Sequence, residues 1–368
     1  MDSLTQAVLG AALQGVVLGR IQGRRALLYG AALATLPDMD VLIRYADPVS
    51  QMTFHRGFSH SLFVLSGLAL LLSWLVLRVA RTRWPHAGYT PGRVFLAFWL
   101  VLLTHPLLDA FTVYGTQLFW PFQFTPQSWA AVFIIDPVYT LPLLLGVLYA
   151  GVTGITGRSV VVLTVALLFS SAYLGVGLVG REVAEQRFKA ELDGQGIQVG
   201  QLRAIPMAFN SLLWRVIAKT PQGDYYEGAS SLFDRAPPEW QRQSRGLELA
   251  AVLQGVALHE RLRWFSDDWL RYDRIGDELV VSDLRMGIAG NYTFRFIMAA
   301  CVEGRWRPVT PRAWPGAGVG SMSNSDDLKR IFRRIFQQQP ALPLADWTEH
   351  YLHEAGPSSL AKASSCVI

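Results

Sequence analysis

The first 180 residues of this 368-residue chain contain no lysine and no glutamate, and that absence restricts what they can fold into. Their only formal charges are ten arginines and six aspartates, whereas residues 181–368 carry 23 basic and 22 acidic groups. A water-soluble domain draws about a quarter of its residues from Asp, Glu, Lys and Arg. The second half meets that requirement and the first does not. The chain therefore reads as a membrane domain over residues 1–180 and a soluble domain over 181–368. The net charge of +5 comes mainly from arginines clustered between apolar runs of the first half, a distribution that reflects membrane topology and argues against nucleic acid as a partner.

Six apolar runs succeed one another at 4–19, 26–43, 62–77, 94–111, 130–150 and 159–180. A straight span needs about 20 residues, a length the last two runs reach. The first two read as a tight helical hairpin, with Gly10, Gly15, Gly19 and Gly30 allowing close approach. Buried helices of a soluble protein do not come six in a row with almost no charge. The expected architecture is an α-helical membrane bundle of about six apolar helices followed by a soluble mixed α/β domain.

Arginine placement orients the bundle. If the turn at Arg20, Arg24 and Arg25 is cytoplasmic, so are Arg78, Arg81, Arg83, Arg93 and Arg158, eight in all against Arg44 and Arg56 on the other side. The positive-inside rule then puts both termini and the C-terminal domain outside a bacterial cytoplasmic membrane. In that domain 212–219, 277–284 and 292–301 read as strands, 239–258 as an amphipathic helix, and Ser325-Asp326-Asp327 as the start of a helix over 328–336. No catalytic spacing occurs there, and its tryptophans are expected in the core. Cys301 and Cys366 are too distant in sequence for spacing to argue for a disulfide or a metal site, which leaves the redox compartment open.

Ionisable groups in or beside apolar spans are costly, so those present mark a functional site. Asp38 and Asp40 lie in Pro37-Asp38-Met39-Asp40 at the end of the second run. His55, Arg56 and His60 lie in His55-Arg56-Gly57-Phe58-Ser59-His60-Ser61 before the third. His105 and Asp109 end the fourth, and Asp136 precedes Pro137 in the fifth. The topology, derived without the aspartates and histidines, collects them all on the outer face. His105 and Asp109, four apart, share a helix face, whereas Asp38 and Asp40 can both point inward only if the helix ends or unwinds after Pro37. Taken singly each motif has a plainer explanation: a turn or cap for Pro-Asp-x-Asp, an interfacial histidine at His60, an interhelical pair for His105 and Asp109, an N-terminal helix charge for Asp2. Those explanations do not account for their gathering on one side. Mixed carboxylate and imidazole groups suit a borderline divalent cation, Zn favoured and Mn allowed, and their number allows more than one ion.

These motifs, together with Met1-Asp2-Ser3-Leu4-Thr5-Gln6 and Ile135-Asp136-Pro137, resemble the YdjM-like family of bacterial inner-membrane proteins, described as metal-dependent hydrolases. The resemblance covers about residues 1–180 and implies a metal-dependent hydrolase, with the C-terminal half an accessory domain. Many members carry His where this chain has Gln6, whose amide oxygen can still coordinate or orient water.

The expected function is hydrolysis at the outer membrane–water boundary, with Asp38, Asp40, His55, His60, His105 and Asp109 as metal ligands. Arg56, the basic group of the loop cluster, suits a phosphate or carboxylate, so a phosphoester of a lipid or lipid-linked molecule is the expected substrate and membrane lipids the expected partners. Asp136 or a ligand carboxylate is the expected general base. Two readings from other classes stand beside this one. An ion- or proton-coupled transporter would spread its polar residues through the membrane depth. A non-catalytic anchor with a structural metal would unfold on loss of His60.

Overall fold

The computed structural model describes residues 1–83, 88–315, 325–353 and 366. They form two compact units. One contains Met1–Ile43, His55–Leu178 and Ala208–Asn210; the other contains Arg44–Phe54, Val179–Met207 and the chain from Ser211 onward. The division falls close to residue 180, but Arg44–Phe54, which composition places with the membrane half, packs within the second unit.

The helices of the first unit are α1 (Ser3–Gln22), α2 (Arg25–Ala34), α4 (Leu62–Arg83), α5 (Pro91–Ala110), α6 (Pro137–Thr153) and the first part of α7 (Gly157–Gly194); α3 (Pro48–Phe54) lies in the inserted segment. Four of them, α1, α4, α5 and α7, are long and apolar enough to cross a membrane, while α2 and α6 are shorter apolar helices. The 26–43 run is shorter as a helix than its apolar length suggests: α2 stops at Ala34 and the chain continues as a 3-10 segment, Pro37–Leu42. Proline has no N–H for the helical ladder and clashes with the preceding turn, so Pro37 ends α2. Likewise α6 begins only at Pro137, where Asp136 caps its first turn. Leu18, Leu65, Val94 and Leu102 form one core, and Leu9, Leu27, Leu143 and Leu163 another. Large apolar side chains also point outward, including Leu70 and Trp74 of α4 and Val165 and Leu168 of α7, as lipid-facing surfaces require.

The α1–α2 hairpin depends on glycine at the contact: a Cβ on Gly10 would stand 2.5 Å from the Gly30 carbonyl oxygen, and one on Gly30 2.2 Å from that of Gly10. At one end of this unit Arg24 Nη2 donates to the Val152 carbonyl (2.7 Å) and Arg93 Nε to that of Val17 (2.7 Å). At the other end meet the starts of α1, α4 and α6 and the ends of α2 and α5, tied by bonds such as Asp2 N to Ile134 O (3.2 Å) and Leu62 N to Leu118 O (3.0 Å). There Tyr173 of α7 donates to Asp136 (2.9 Å).

The second unit is built on two antiparallel sheets. Strands β1 (Gln201–Pro206), β2 (Leu213–Lys219), β3 (Asp224–Ser231) and β4 (Glu239–Ser244) form a meander. After α8 (Leu247–Ala250) and α9 (Ala257–Ser266) come β5 (Leu270–Ile275), β6 (Glu278–Asp283), the short pair β7 (Gly287–Ile288) and β8 (Asn291–Tyr292), β9 (Arg295–Val302) and β10 (Arg305–Ala313). The second sheet has the order β10-β9-β6-β5, and α10 (Ser325–Phe336) and α11 (Leu344–His353) follow it. Residues 239–258 are not one helix. Their first six form β4, with Trp240 opposite Gly228, and Gly246 at φ +63° turns the chain before the short α8. An edge strand followed by a short helix mimicked a helical period. The C-terminal part of α7 covers one face of the first sheet through Ala184, Phe188 and Leu192 against Trp214, Val216 and Ala218. Polar groups tie the first sheet to the chain that follows β6: Tyr225 of β3 and Tyr292 of β8 share a hydroxyl bond of 2.9 Å, and Arg215 Nη1 of β2 donates to Leu284 O at 2.6 Å. Cys301 and Cys366 are joined as a disulfide.

Candidate metal centre

Each ligand position follows from a local break in the helices. Asp38 and Asp40 occupy the 3-10 segment after Pro37; at three residues per turn, positions two apart face different directions. His60 ends another short 3-10 turn, Phe58–His60, entered through Arg56 at φ +59° and Gly57. His105 and Asp109 face the same way from the last turns of α5.

Asp38, His60, His105 and Asp109 meet, each offering one ligand atom. His60 Nε2 lies 3.3 Å from Asp38 Oδ1 and 3.2 Å from Asp109 Oδ2, and His105 Nε2 lies 3.3 and 3.4 Å from the same two oxygens. The two Nε2 atoms are 3.2 Å apart. Five of the six separations among these atoms are thus 3.2–3.4 Å, the spacing expected of nitrogen and oxygen ligands held about 2.0 Å from a Zn ion. His60, His105 and Asp109 have fully buried side chains, while Asp38 is 24% exposed and forms the open side.

The hydrogen bonds determine which atoms carry lone pairs. A carbonyl oxygen only accepts, so His105 Nδ1 must donate to Ala34 O (2.6 Å), which leaves Nε2 unprotonated in the neutral ring. Ser59 Oγ spends its proton on Asp40 Oδ2 (2.6 Å) and therefore accepts from His60 Nδ1 (2.9 Å), leaving that Nε2 unprotonated too. Asp109 Oδ1 takes the Met1 amine, Gln6 Nε2 (3.2 Å) and Arg56 Nη2 (3.2 Å), so Oδ2 is the oxygen turned to the histidines. Asp109 Oδ2 and Gln6 Oε1 are both buried without a hydrogen-bond donor. With both rings neutral, these lone pairs converge on one point, so the residues fit a metal ion.

Asp38, Asp40 and His55 form a second candidate group, which shares Asp38 with the first. Asp40 is already a busy acceptor, taking His55 Nδ1 (2.8 Å), Arg56 N (3.0 Å) and Ser59 Oγ. It thus orients both His55 and, through Ser59, His60. Arg56 reaches the site, but its guanidinium is buried against Asp109, Thr112 (3.4 Å) and the Tyr114 ring (5.0 Å) instead of pointing to an open surface. Asp136 lies outside both ligand groups: it caps α6 through Val138 N (2.9 Å) and accepts from Tyr173. Asp2 caps α1 through Thr5 N (3.0 Å). Sequence reasoning missed Ser59 and the Ala34 carbonyl. Ser59 lies inside a quoted motif and could have been found; a backbone carbonyl leaves no mark on sequence.

A family model described as YdjM inner membrane protein matches residues 1–184 of the chain. The chain belongs to the YdjM inner membrane protein family. It is 29% identical over 320 residues to the uncharacterized protein YfhP of Bacillus subtilis strain 168, covering 80% of this chain and 89% of that one. It is also 34% identical over 108 residues to the inner membrane protein YbcI of Escherichia coli K12, covering 29% of this chain and 58% of YbcI. No solved structure matches. The YdjM match contains every residue of both ligand groups, so membrane placement and candidate centre belong to the same family region.

Proposed function

We propose that this YdjM-family protein is a metal-dependent hydrolase that cleaves a phosphoester of a lipid or lipid-linked substrate at the outer face of the inner membrane. The observation that carries the reading is the close set of four ligand atoms, five of whose six separations are 3.2–3.4 Å, with one partly exposed member. Asp38, His60, His105 and Asp109 would hold Zn, or Mn in its place, and Asp38, Asp40 and His55 a second ion. Such cations supply Lewis acidity toward the scissile group and make water a nucleophile at neutral pH.

The remaining work falls to the chain. The Ala34 carbonyl and Ser59 hold both imidazoles in the tautomer that presents Nε2. Arg56 balances the buried Asp109 carboxylate. Asp136 is engaged as a cap, so the proton acceptor for the attacking water would be one of the ligand carboxylates. Aromatic residues at the same end support an interfacial substrate. Phe58, Phe63, Trp120, Phe122 and Phe124 are all exposed, and their loop is tied to the ligand segment by Gln117 N to Arg56 O (3.0 Å) and Ser61 Oγ to Trp120 O (2.7 Å). The Cys301–Cys366 disulfide suits an oxidising compartment, in accord with an extracytoplasmic C-terminal domain.

The test is elemental analysis of detergent-purified protein beside Asp38→Asn and His60→Ala, with thermal melts and phosphate release from lipid phosphoesters in vesicles. Wild type should retain about one to two equivalents of Zn or Mn and release phosphate, while both variants stay folded, lose metal and are inert. A metal-free wild type after supplementation would overturn the reading. Loss of folding without any wild-type hydrolysis would favour a structural metal.

A further inference from the structure

The segment Arg44–Phe54 begins four residues after Asp40, and its last residue directly precedes His55. It folds within the second unit, where α3 packs on α9. Asp47 caps α3 through Ser50 N (2.8 Å) and Ser50 Oγ (2.6 Å). Arg261 of α9 grips its far end: Nε donates to Thr53 Oγ1 (2.6 Å) and Nη2 to Thr53 O (3.1 Å). The guanidinium carbon stands 3.6 Å from the Phe54 ring centroid and 5.5 Å from that of Trp264, while Tyr45 stacks on Phe54 at 5.0 Å. Thr53 is fully buried. Two hydrogen bonds and a cation–π contact make this a specific attachment.

Two residues further on, Arg56 holds a left-handed φ of +59°. A non-glycine residue keeps such a conformation only where its surroundings over-determine it. After Arg56 the constraint is plain: its carbonyl accepts from Gln117 N and its N–H donates to Asp40. Before it, the chain is held by the His55 bond to Asp40 and by the Arg261 grip on Thr53 and Phe54. With only two soft dihedrals per residue between grip and ligand, freedom at residue 54 passes directly to His55 and Arg56.

We infer that Arg261 is a positioning residue for the metal centre: by anchoring Thr53 and Phe54 it holds His55 against Asp40 and Arg56 against Asp109, and so tunes the cation affinity of a site to which it gives no ligand. This rests on the metal reading above. Released from Arg261, Arg56 can relax to negative φ, which withdraws its guanidinium from Asp109 and loosens His55.

The experiment uses full-length protein in detergent, with Zn(II) and Mn(II) alone as probes. Wild type, Arg261→Ala, Arg261→Lys and Thr53→Val are compared for cation affinity, melting temperature and amide exchange across 44–60. Arg334→Ala serves as control, because it breaks the buried pairs with Asp234 and Glu239 and so destabilises the same unit without touching α3. Arg261→Ala should weaken cation binding by about tenfold, the lower end for an outer partner of a metal ligand, and speed exchange over 52–60. Lysine should recover part of both effects, and Arg334→Ala should lower the melting temperature with wild-type affinity. If Arg261→Ala does not fold, Thr53→Val, which removes only the hydroxyl bond, should show the same effects in smaller degree. Unchanged affinity and exchange in the folded variants overturn the inference, as does an equal loss of affinity in Arg334→Ala. If wild type binds no cation, the metal reading fails by itself and amide exchange alone decides whether Arg261 holds the loop.

Discussion

Ser59 illustrates how much of the centre depends on a neutral side chain. Its hydroxyl lies between Asp40 and His60 and fixes the imidazole tautomer. Replacement by alanine leaves His60 Nδ1 without that acceptor, and cation affinity should fall about tenfold with little change in the melting temperature; threonine should restore it. The sequence showed Asp38, His60, His105 and Asp109 because charge and imidazole at the ends of apolar runs need a reason. Ser59, inside the same motif, was within reach of that reasoning, but nothing in sequence shows that Arg56 spends its charge on Asp109. Away from the membrane, Lys219 gives a test of the second unit. Burial, reinforced by the Arg245 guanidinium, lowers its pKa from 10.5 to about 8, with the ammonium over the Trp269 ring and donating to two carbonyls. Between pH 8 and 10.5 the unfolded chain holds a proton that the folded protein has released, so this group makes stability rise with pH across that window. The melting temperature of wild type relative to Lys219→Met should therefore climb from pH 8 to 10.5; a flat difference would refute the assignment.

At the scale of elements, the α1–α2 hairpin links packing to chemistry. Gly30 touches Gly10 along the backbone, and one turn later Ala34 presents the carbonyl that orients His105. Alanine at Gly30 would force the helices apart, because its Cβ would stand 2.2 Å from a carbonyl oxygen. The expected cost is about 1–3 kcal/mol of stability. Cation affinity should fall with it, since Ala34 moves with α2; melting and metal titration of the same variant check both. Gly10 and Gly30 were readable as close-approach positions of this hairpin, whereas Gly19, read the same way, faces Ile155. The early end of α2 at Ala34 was readable only in part, because Pro37 shows that the helix breaks but not that a 3-10 segment then separates Asp38 from Asp40. The error over 239–258 has a related cause, since apolar spacing cannot distinguish one helix from an edge strand and a short helix when a glycine lies between them.

For the whole molecule, the two-part architecture was legible because membrane and water demand different compositions. The Cys301–Cys366 bond and the folding of Arg44–Phe54 into the second unit were not, since both depend on contacts between residues distant in sequence. Orientation can be checked by labelling from outside intact cells. Cysteine introduced at Gln127 should react and cysteine at Thr82 should not, against a background in which both natural thiols are bonded to each other. Finally, three corners of the candidate centre are sealed and one is open. An ion seated there would have a single exit, past Asp38. Chelators added to the folded wild type should therefore strip it slowly, over hours. Loading would then be set by what the chain meets as it inserts and folds, and not by the cation later most abundant outside.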